Sequence, residues 1–230
     1  MGEDAYSKDK LYIELWEDYL DLGEYKMSNS KGHHHHHKLP DSFEELRTMA
    51  IESILIEKGL ISAEEVDELI HHFVSDIGPM NGAKVVARAW VDPEFKQRLL
   101  HDGKRAVAEL GLEMASEELV VIENTSNIQN VVVCTLCSCY PWTLLGLPPT
   151  WYKSTAYRSR VVVDPRSVLR EFGLELDDTV EIRVWDSNAD TRYLVLPERP
   201  RATEHMNEDE LASIVTRDAM IGVSKVEIPS

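Results

Sequence analysis

All three cysteines of this 230-residue chain fall within six positions, inside the stretch VVVCTLCSCYPW from Val131 to Trp142. The run NVVVC ahead of them reads as a buried strand that delivers Cys134 at its end. The segment behind them, WTLLGLPPTWYKS, reads as a loop with a short helical turn, rich in Pro and large aromatics. The fold must therefore carry three thiols on one loop between a central strand and an aromatic segment.

Cys134, Cys137 and Cys139 have the spacing C-x2-C-x-C. Three soft thiolates favour a thiophilic transition metal, and the ligand type excludes calcium and magnesium sites. The C-x-C half also brings in the amide nitrogens of Ser138 and Cys139, which can reach the same ion in small chelate rings. A metal that prefers square or octahedral coordination can take two such nitrogens and two sulfurs as an equatorial set. Cys134 would then supply a third, axial sulfur, leaving one position open for water or substrate. The alternative, a zinc knuckle, normally needs four side-chain ligands. The loop holds no histidine, and His71, His72, His101 and His205 are scattered along the sequence. Three inert packing thiols are a second alternative, one that suits a single cysteine better than three in six residues.

Lys and Arg number 24 against 41 Asp and Glu, a formal net charge of −17. Such a chain has no general attraction to phosphate backbones or anionic lipid, so neither nucleic acid nor membrane is expected as a partner. No apolar run reaches the roughly 18 residues of a membrane span, and MGEDAYSKDK lacks the basic and apolar regions of a signal peptide. A cytoplasmic location is expected. There, a tight cluster of three cysteines fits metal binding or reactive thiols better than a disulfide framework.

Along the chain, residues 1–26 hold one alternating stretch, KLYIELWEDYL, read as a strand with an acidic tail. Residues 27–39 contain five consecutive histidines and no periodicity, which fits a solvated natural linker or an engineered tag. Residues 40–110 form a helical arm. Its helices are punctuated by capping boxes at Ser42/Glu45 and Ser62/Glu65, stops at Gly59 and Gly78-Pro79, an Asp92-Pro93 start and a closing Gly111. Residues 111–230 shift to period two. LVVIEN and NVVVC are strands, Asp164-Pro165 opens a helix closed by Gly173, and TVEIRVWDSNADTRYLVLPERP looks like a hairpin with its turn at DSNAD. Asn207 and Glu210 cap a last helix through Val215. The fold class is α+β: a helical arm followed by a layered α/β globular metal-binding domain.

VCTLCSCYPW, together with LGLPPTWYKS, YRSRVVVDPR, EIRVWDSNADTRYLVLPERP and IVTRDAMIGV, resembles the α subunit of nitrile hydratase over about residues 40 to 225. The resemblance implies hydration of a small nitrile to an amide at a non-corrin Co(III) or non-haem Fe(III) ion. The ion would be held by Cys134, Cys137 and Cys139 and by the amides of Ser138 and Cys139. By the same resemblance Cys134 stays a thiolate, Cys137 becomes a sulfinic acid and Cys139 a sulfenic acid. Cys137, Ser138 and Cys139 would form the catalytic centre. Tyr140 and Trp142 would line the substrate pocket, or else pack in the core, which suits large aromatics equally well. Cobalt members resemble C-T-L-C-S-C-Y and iron members C-S-L-C-S-C-T, so Thr135 and Tyr140 point to cobalt, with iron as the alternative.

Many relatives carry a glutamine before the strand LVVIEN where this chain has Ala115, so water positioning beside the metal is expected to differ. The front end, GEDAYSKDKLYIELWEDYL, resembles the closing strand of the nitrile hydratase β subunit. The whole then reads as a β tail, a His-rich linker and an α subunit, as in β–α fused nitrile hydratases. The resemblance implies a β subunit or β domain as obligate partner, embraced by the helical arm, and a metallochaperone or activator protein. Two arginines that hydrogen-bond the oxidised cysteines in that family come from the body of β. The rivals are a thiocyanate hydrolase γ-like subunit and a non-catalytic metal-binding homologue. The apolar YPWTLLGLPPTW suits a neutral nitrile better than an anion.

Overall fold

The computed structural model describes residues 43–228. The β-like strand, the His-rich linker and the Ser42 cap lie outside the described residues. The chain divides into two compact units between Lys58 and Gly59. In the first, α1 (Phe43–Glu57) is closed by the Lys58 amide on the Ile54 carbonyl at 3.1 Å. It exposes Phe43, Met49, Ile51 and Ile54.

In the second unit, α2 (Ala63–His71) starts at the expected capping box, with Ser62 Oγ accepting from the Glu65 amide and Glu65 returning to the Ser62 amide. The helix then widens into a π-helical turn, His72–Ile77, before Gly78 ends it. Next come α3 (Met80–Val91), α4 (Pro93–His101) and α5 (Gly103–Ala108). Asp92 and Asp102 cap the last two, because short acceptor side chains satisfy the free amides of a first turn. Among the described residues no helix is long and apolar enough to cross a membrane.

Of the helical run expected over 40–110, α1 lies in the first unit and α2 to α5 in the second. Gly82, Ala83, Val85, Val86, Ala87 and Ala89 are all buried, so α3 is apolar around most of its circumference and belongs inside a core. Phe95, Leu99, Ala106 and Val107 join it in one cluster with the strand residues. From Met80 onward the helices are part of the globular domain.

That domain contains β1 (Glu118–Glu123), β2 (Ile128–Val133), β3 (Glu181–Asp186) and β4 (Thr191–Leu196). The hairpin expected over 180–196 is absent. β4 pairs parallel with β1, Glu118 opposite Thr191, and β3 pairs parallel with β2, Val133 opposite Asp186. The Ser187 amide continues the β2 ladder onto the Val133 carbonyl at 2.7 Å, while the Asp190 carbonyl receives the Glu118 amide at 2.8 Å. Between them Asn188 Oδ1 accepts from the Asp190 and Thr191 amides, turning the chain from one sheet to the other. The continuous burial of Leu194, Val195 and Leu196 favours this arrangement, since a strand covered on both faces suits parallel pairing better than an open hairpin.

Four short helices follow β2: α6 (Trp142–Leu145), α7 (Thr150–Lys153), α8 (Thr155–Arg160) and α9 (Pro165–Glu171). Two more follow β4. The Asn207/Glu210 box opens α10 (Glu208–Ile214), which is not the last helix, because Thr216 caps α11 (Arg217–Ile221). Gly222 then adopts a φ of +94°, where a Cβ would stand 1.9 Å from the Asn130 carbonyl oxygen, so only glycine fits.

Candidate metal centre

The chain is buried from Val131 on β2 to Cys134 just beyond it, and the strand's end is pinned from two sides. The Tyr157 hydroxyl donates to the Val132 carbonyl at 2.7 Å. Asp186, at the end of β3, accepts from the Thr135 amide at 2.9 Å and from the Thr135 hydroxyl at 2.6 Å. Arg158 Nη1 donates to the Thr135 carbonyl at 3.4 Å, and the Tyr152 hydroxyl to the Cys139 carbonyl at 2.9 Å. The loop is thus tied at both ends, with Leu136, 85% exposed, at its outer turn.

Tied in this way, the three thiols converge. Cys134 and Cys137 sulfurs lie 3.4 Å apart, Cys137 and Cys139 sulfurs 3.3 Å apart, and all three fall within 4.8 Å of one another. No His, Asp or Glu joins the group among the described residues, so a zinc knuckle lacks its fourth side chain. Cys134 is buried, Cys139 half-buried and Cys137 exposed. Hydrogen bonds from Cys139 and Cys134, with smaller help from the Ser138 and Cys139 amides, lower the Cys137 thiol to about 7. Burial, reinforced by Cys137, pushes Cys139 up to about 12. The Cys137 amide donates to the Cys134 sulfur at 3.3 Å. The donor set fits a thiophilic ion taking three sulfurs and two backbone nitrogens.

Tyr140 and Trp142 part company. Tyr140 is 2% exposed, edge-on to Tyr152 at 5.2 Å between ring centroids, and burial raises its phenol well above the usual range. It is a core residue here, although its hydroxyl finds no hydrogen-bond partner among the described residues. Trp142 is 42% exposed and edge-on to Phe73 of the π-helical turn at 5.2 Å.

Sequence reasoning missed Asp186, Tyr152, Tyr157 and Arg158 as supports of the loop. Asp186 was hidden by the hairpin reading, which put it in a turn; the parallel register puts it beside Val133. It also missed Arg192, whose charge opposes the rise at Cys139 and whose side chain, 14% exposed, lies 3.6 Å from Glu117. Ala115 offers only its carbonyl, which accepts from Lys104 Nζ at 2.8 Å.

A mixed α/β core that ends a buried parallel strand in three converging thiols defines a thiolate-loop metal protein. Residues 42–224 match the family described as nitrile hydratase, alpha chain. The chain is 57% identical over 195 residues to the low-molecular weight cobalt-containing nitrile hydratase subunit alpha of Rhodococcus rhodochrous, covering 84% of this chain and 94% of that one. It is 45% identical over 192 residues to the thiocyanate hydrolase subunit gamma of Thiobacillus thioparus, 78% and 79% of the two chains. A solved double mutant of the Fe-type nitrile hydratase from Comamonas testosteroni Ni1 superposes with a TM-score of 0.75 at 44% identity, covering 83% and 93%. The chain belongs to the nitrile hydratase alpha chain family.

Proposed function

We propose that the chain is the catalytic subunit of a cobalt nitrile hydratase, converting R–C≡N and H2O into R–C(O)NH2 in complex with a β subunit. The observation that carries this is the convergence of Cys134, Cys137 and Cys139 sulfurs within 4.8 Å on a loop whose ends are fixed. Their sulfurs and the amide nitrogens of Ser138 and Cys139 would hold the ion. When bound, a trivalent cobalt ion supplies Lewis acidity that polarises the nitrile or a water. Fe(III) is the alternative at the same donors.

The chain's own residues do the rest. Asp186 and Tyr152 fix the loop's two ends, so the donors meet the ion without reorganising. Cys137 offers the readiest thiolate and is the side chain expected to reach the sulfinic state, with Cys139 as the sulfenic acid. The Cys139 sulfenate oxygen is the nucleophile or base toward the nitrile carbon or a water, in a site also shaped by Ser138. Trp142, half exposed just beyond the loop, supplies an apolar wall to the substrate, while Tyr140 supports that wall from the core.

The missing arginine donors and the remaining pocket wall come from β, with which the apolar residues of α1 would associate. A metallochaperone or activator delivers the ion, and the reaction takes place in the cytoplasm. Coexpression with a β subunit in cobalt- and iron-supplemented media tests this reading, by bound metal, by the intact mass of the 131–142 peptide and by amide formation from a neutral nitrile. Stoichiometric cobalt, the mass of about three added oxygens and turnover are expected. Zinc, or no metal with unmodified thiols, would instead favour a non-catalytic homologue. The similarity to thiocyanate hydrolase gives a second reading, which predominant turnover of thiocyanate over a neutral nitrile would select.

A further inference from the structure

The cysteine loop occupies one end of β2. At the other end, the carboxyl ends of β1 and β4 meet the amino ends of β2 and β3. Loops outside the carboxyl ends of parallel strands are where α/β proteins commonly seat ligands. Here the β1–β2 turn, the segment after β4 and the segment after α11 enclose a cleft of about 330 Å3. A second hollow of about 470 Å3 shares its wall from Asn124 to Ser126 and from Pro197 to Arg199, so one groove runs past Arg199.

The charge of this cleft runs against that of the molecule. In a chain of net charge −17, its lining gathers Arg199, Arg201 and Lys225 against a single carboxylate, Glu198. Lys96 and Glu123, in the neighbouring hollow, neutralise each other in an ion pair. Among the described residues, no ion pair involves Arg199, Arg201 or Lys225.

Arg199 is also fixed in place. Its Nε donates to Thr203 Oγ1 at 2.9 Å, Nη2 to the Thr203 carbonyl at 2.7 Å and Nη1 to the Trp90 carbonyl at 3.3 Å. Thr203 is itself buried. All three acceptors are neutral, so the guanidinium is oriented while its charge stays uncompensated. Thr125, Ser126 and Ser224 add hydroxyl donors to the wall. Low-dielectric walls of one charge sign focus the potential in a cleft, and cations with hydroxyls are the donor set that holds oxyanions.

We propose that this cleft is an oxyanion-binding site, separate from the cysteine loop, for a small phosphate- or carboxylate-bearing metabolite.

Amide-proton NMR of the full chain, titrated in parallel with inorganic phosphate and with succinate at constant ionic strength, tests the site. A saturable shift at Thr125, Ser126, Ser224 and Lys225 is expected, and the tighter of the two anions identifies the ligand as phosphate or carboxylate in kind. Exposed Arg201 and Lys225 can be altered without touching the core. The double change Arg201→Glu and Lys225→Glu should weaken binding about tenfold or more, as loss of charge-assisted contacts implies. Lys153→Glu, on α7 away from this end of the sheet, should leave it unchanged. Lys225→Met alone, with an unaltered spectrum elsewhere, gives the same readout if the double variant does not fold. No saturable shift with either anion, or equal binding by the wild-type and altered chains, overturns the proposal.

Discussion

Asp186 grips Thr135 twice, taking its amide at 2.9 Å and its hydroxyl at 2.6 Å across two parallel strands. The contact is partly solvent-exposed, so Thr135→Val should cost only about 1 kcal/mol of folding stability. Its larger effect should be on the loop: loss of an outer hydrogen bond typically weakens metal retention by about tenfold or more. Competition with a chelator, compared with the urea midpoint, separates the two. Unchanged metal retention would show that the Thr135 hydroxyl does not set the loop's geometry.

The metal-free thiols should differ in reactivity. Cys137 is exposed with its thiol lowered to about 7, whereas Cys139 is raised to about 12 and Cys134 is buried. The thiolate is the reactive form, so iodoacetamide at pH 8 should modify Cys137 first and Cys134 last. The Cys137 rate should rise through pH 7 and level off above it, since the thiolate is nearly fully formed there. Peptide mass mapping over time reads the order, and equal rates would contradict it.

Gly222 combines a φ of +94° with a backbone oxygen 1.9 Å from where a Cβ would lie. Gly222→Ala should therefore destabilise the fold by about 3 kcal/mol or more, since strain and overlap with backbone add. The Gly222 carbonyl also accepts from the side-chain Nε2 of buried Gln129 on β2 at 2.8 Å, so displacing it disturbs that contact as well. A shift of the urea midpoint at constant slope would register the loss; a midpoint close to wild type would mean that the turn after α11 relaxes freely.

Tyr152 is fully buried and its hydroxyl meets the Cys139 carbonyl. Tyr152→Phe keeps the ring packing against Tyr140 and removes one donor. It should cost about 1–2 kcal/mol and loosen the distal side of the loop. Thermal unfolding gives the first effect and Cys139 alkylation in the metal-free chain the second. Faster alkylation is expected, and an unchanged rate would argue against a positioning role.

Local chemistry was legible in the sequence wherever it depends on near neighbours. The Ser62/Glu65 and Asn207/Glu210 boxes, the Asp92-Pro93 start and the cysteine spacing are all fixed within a few residues, and each appears as written. What failed depends on partners far away. Residues 180–196 alternate like a hairpin, but whether β3 meets β4 or β2 is decided by which surfaces the rest of the chain presents. The supports of the loop were hidden for the same reason, because Asp186 is identified only by the β2–β3 register. The π-helical turn at His72–Ile77 leaves no compositional mark distinct from ordinary helix.

The exchange of partners between the two strand pairs has a kinetic meaning. The grip of Asp186 on Thr135 spans 51 residues of chain, and parallel pairing of such distant segments is slow because loop closure precedes any reward. The cysteines leave the ribosome well before the strand that fixes them. Their convergence is thus a late event in folding, and an ion delivered earlier meets three independent thiols rather than a cradle.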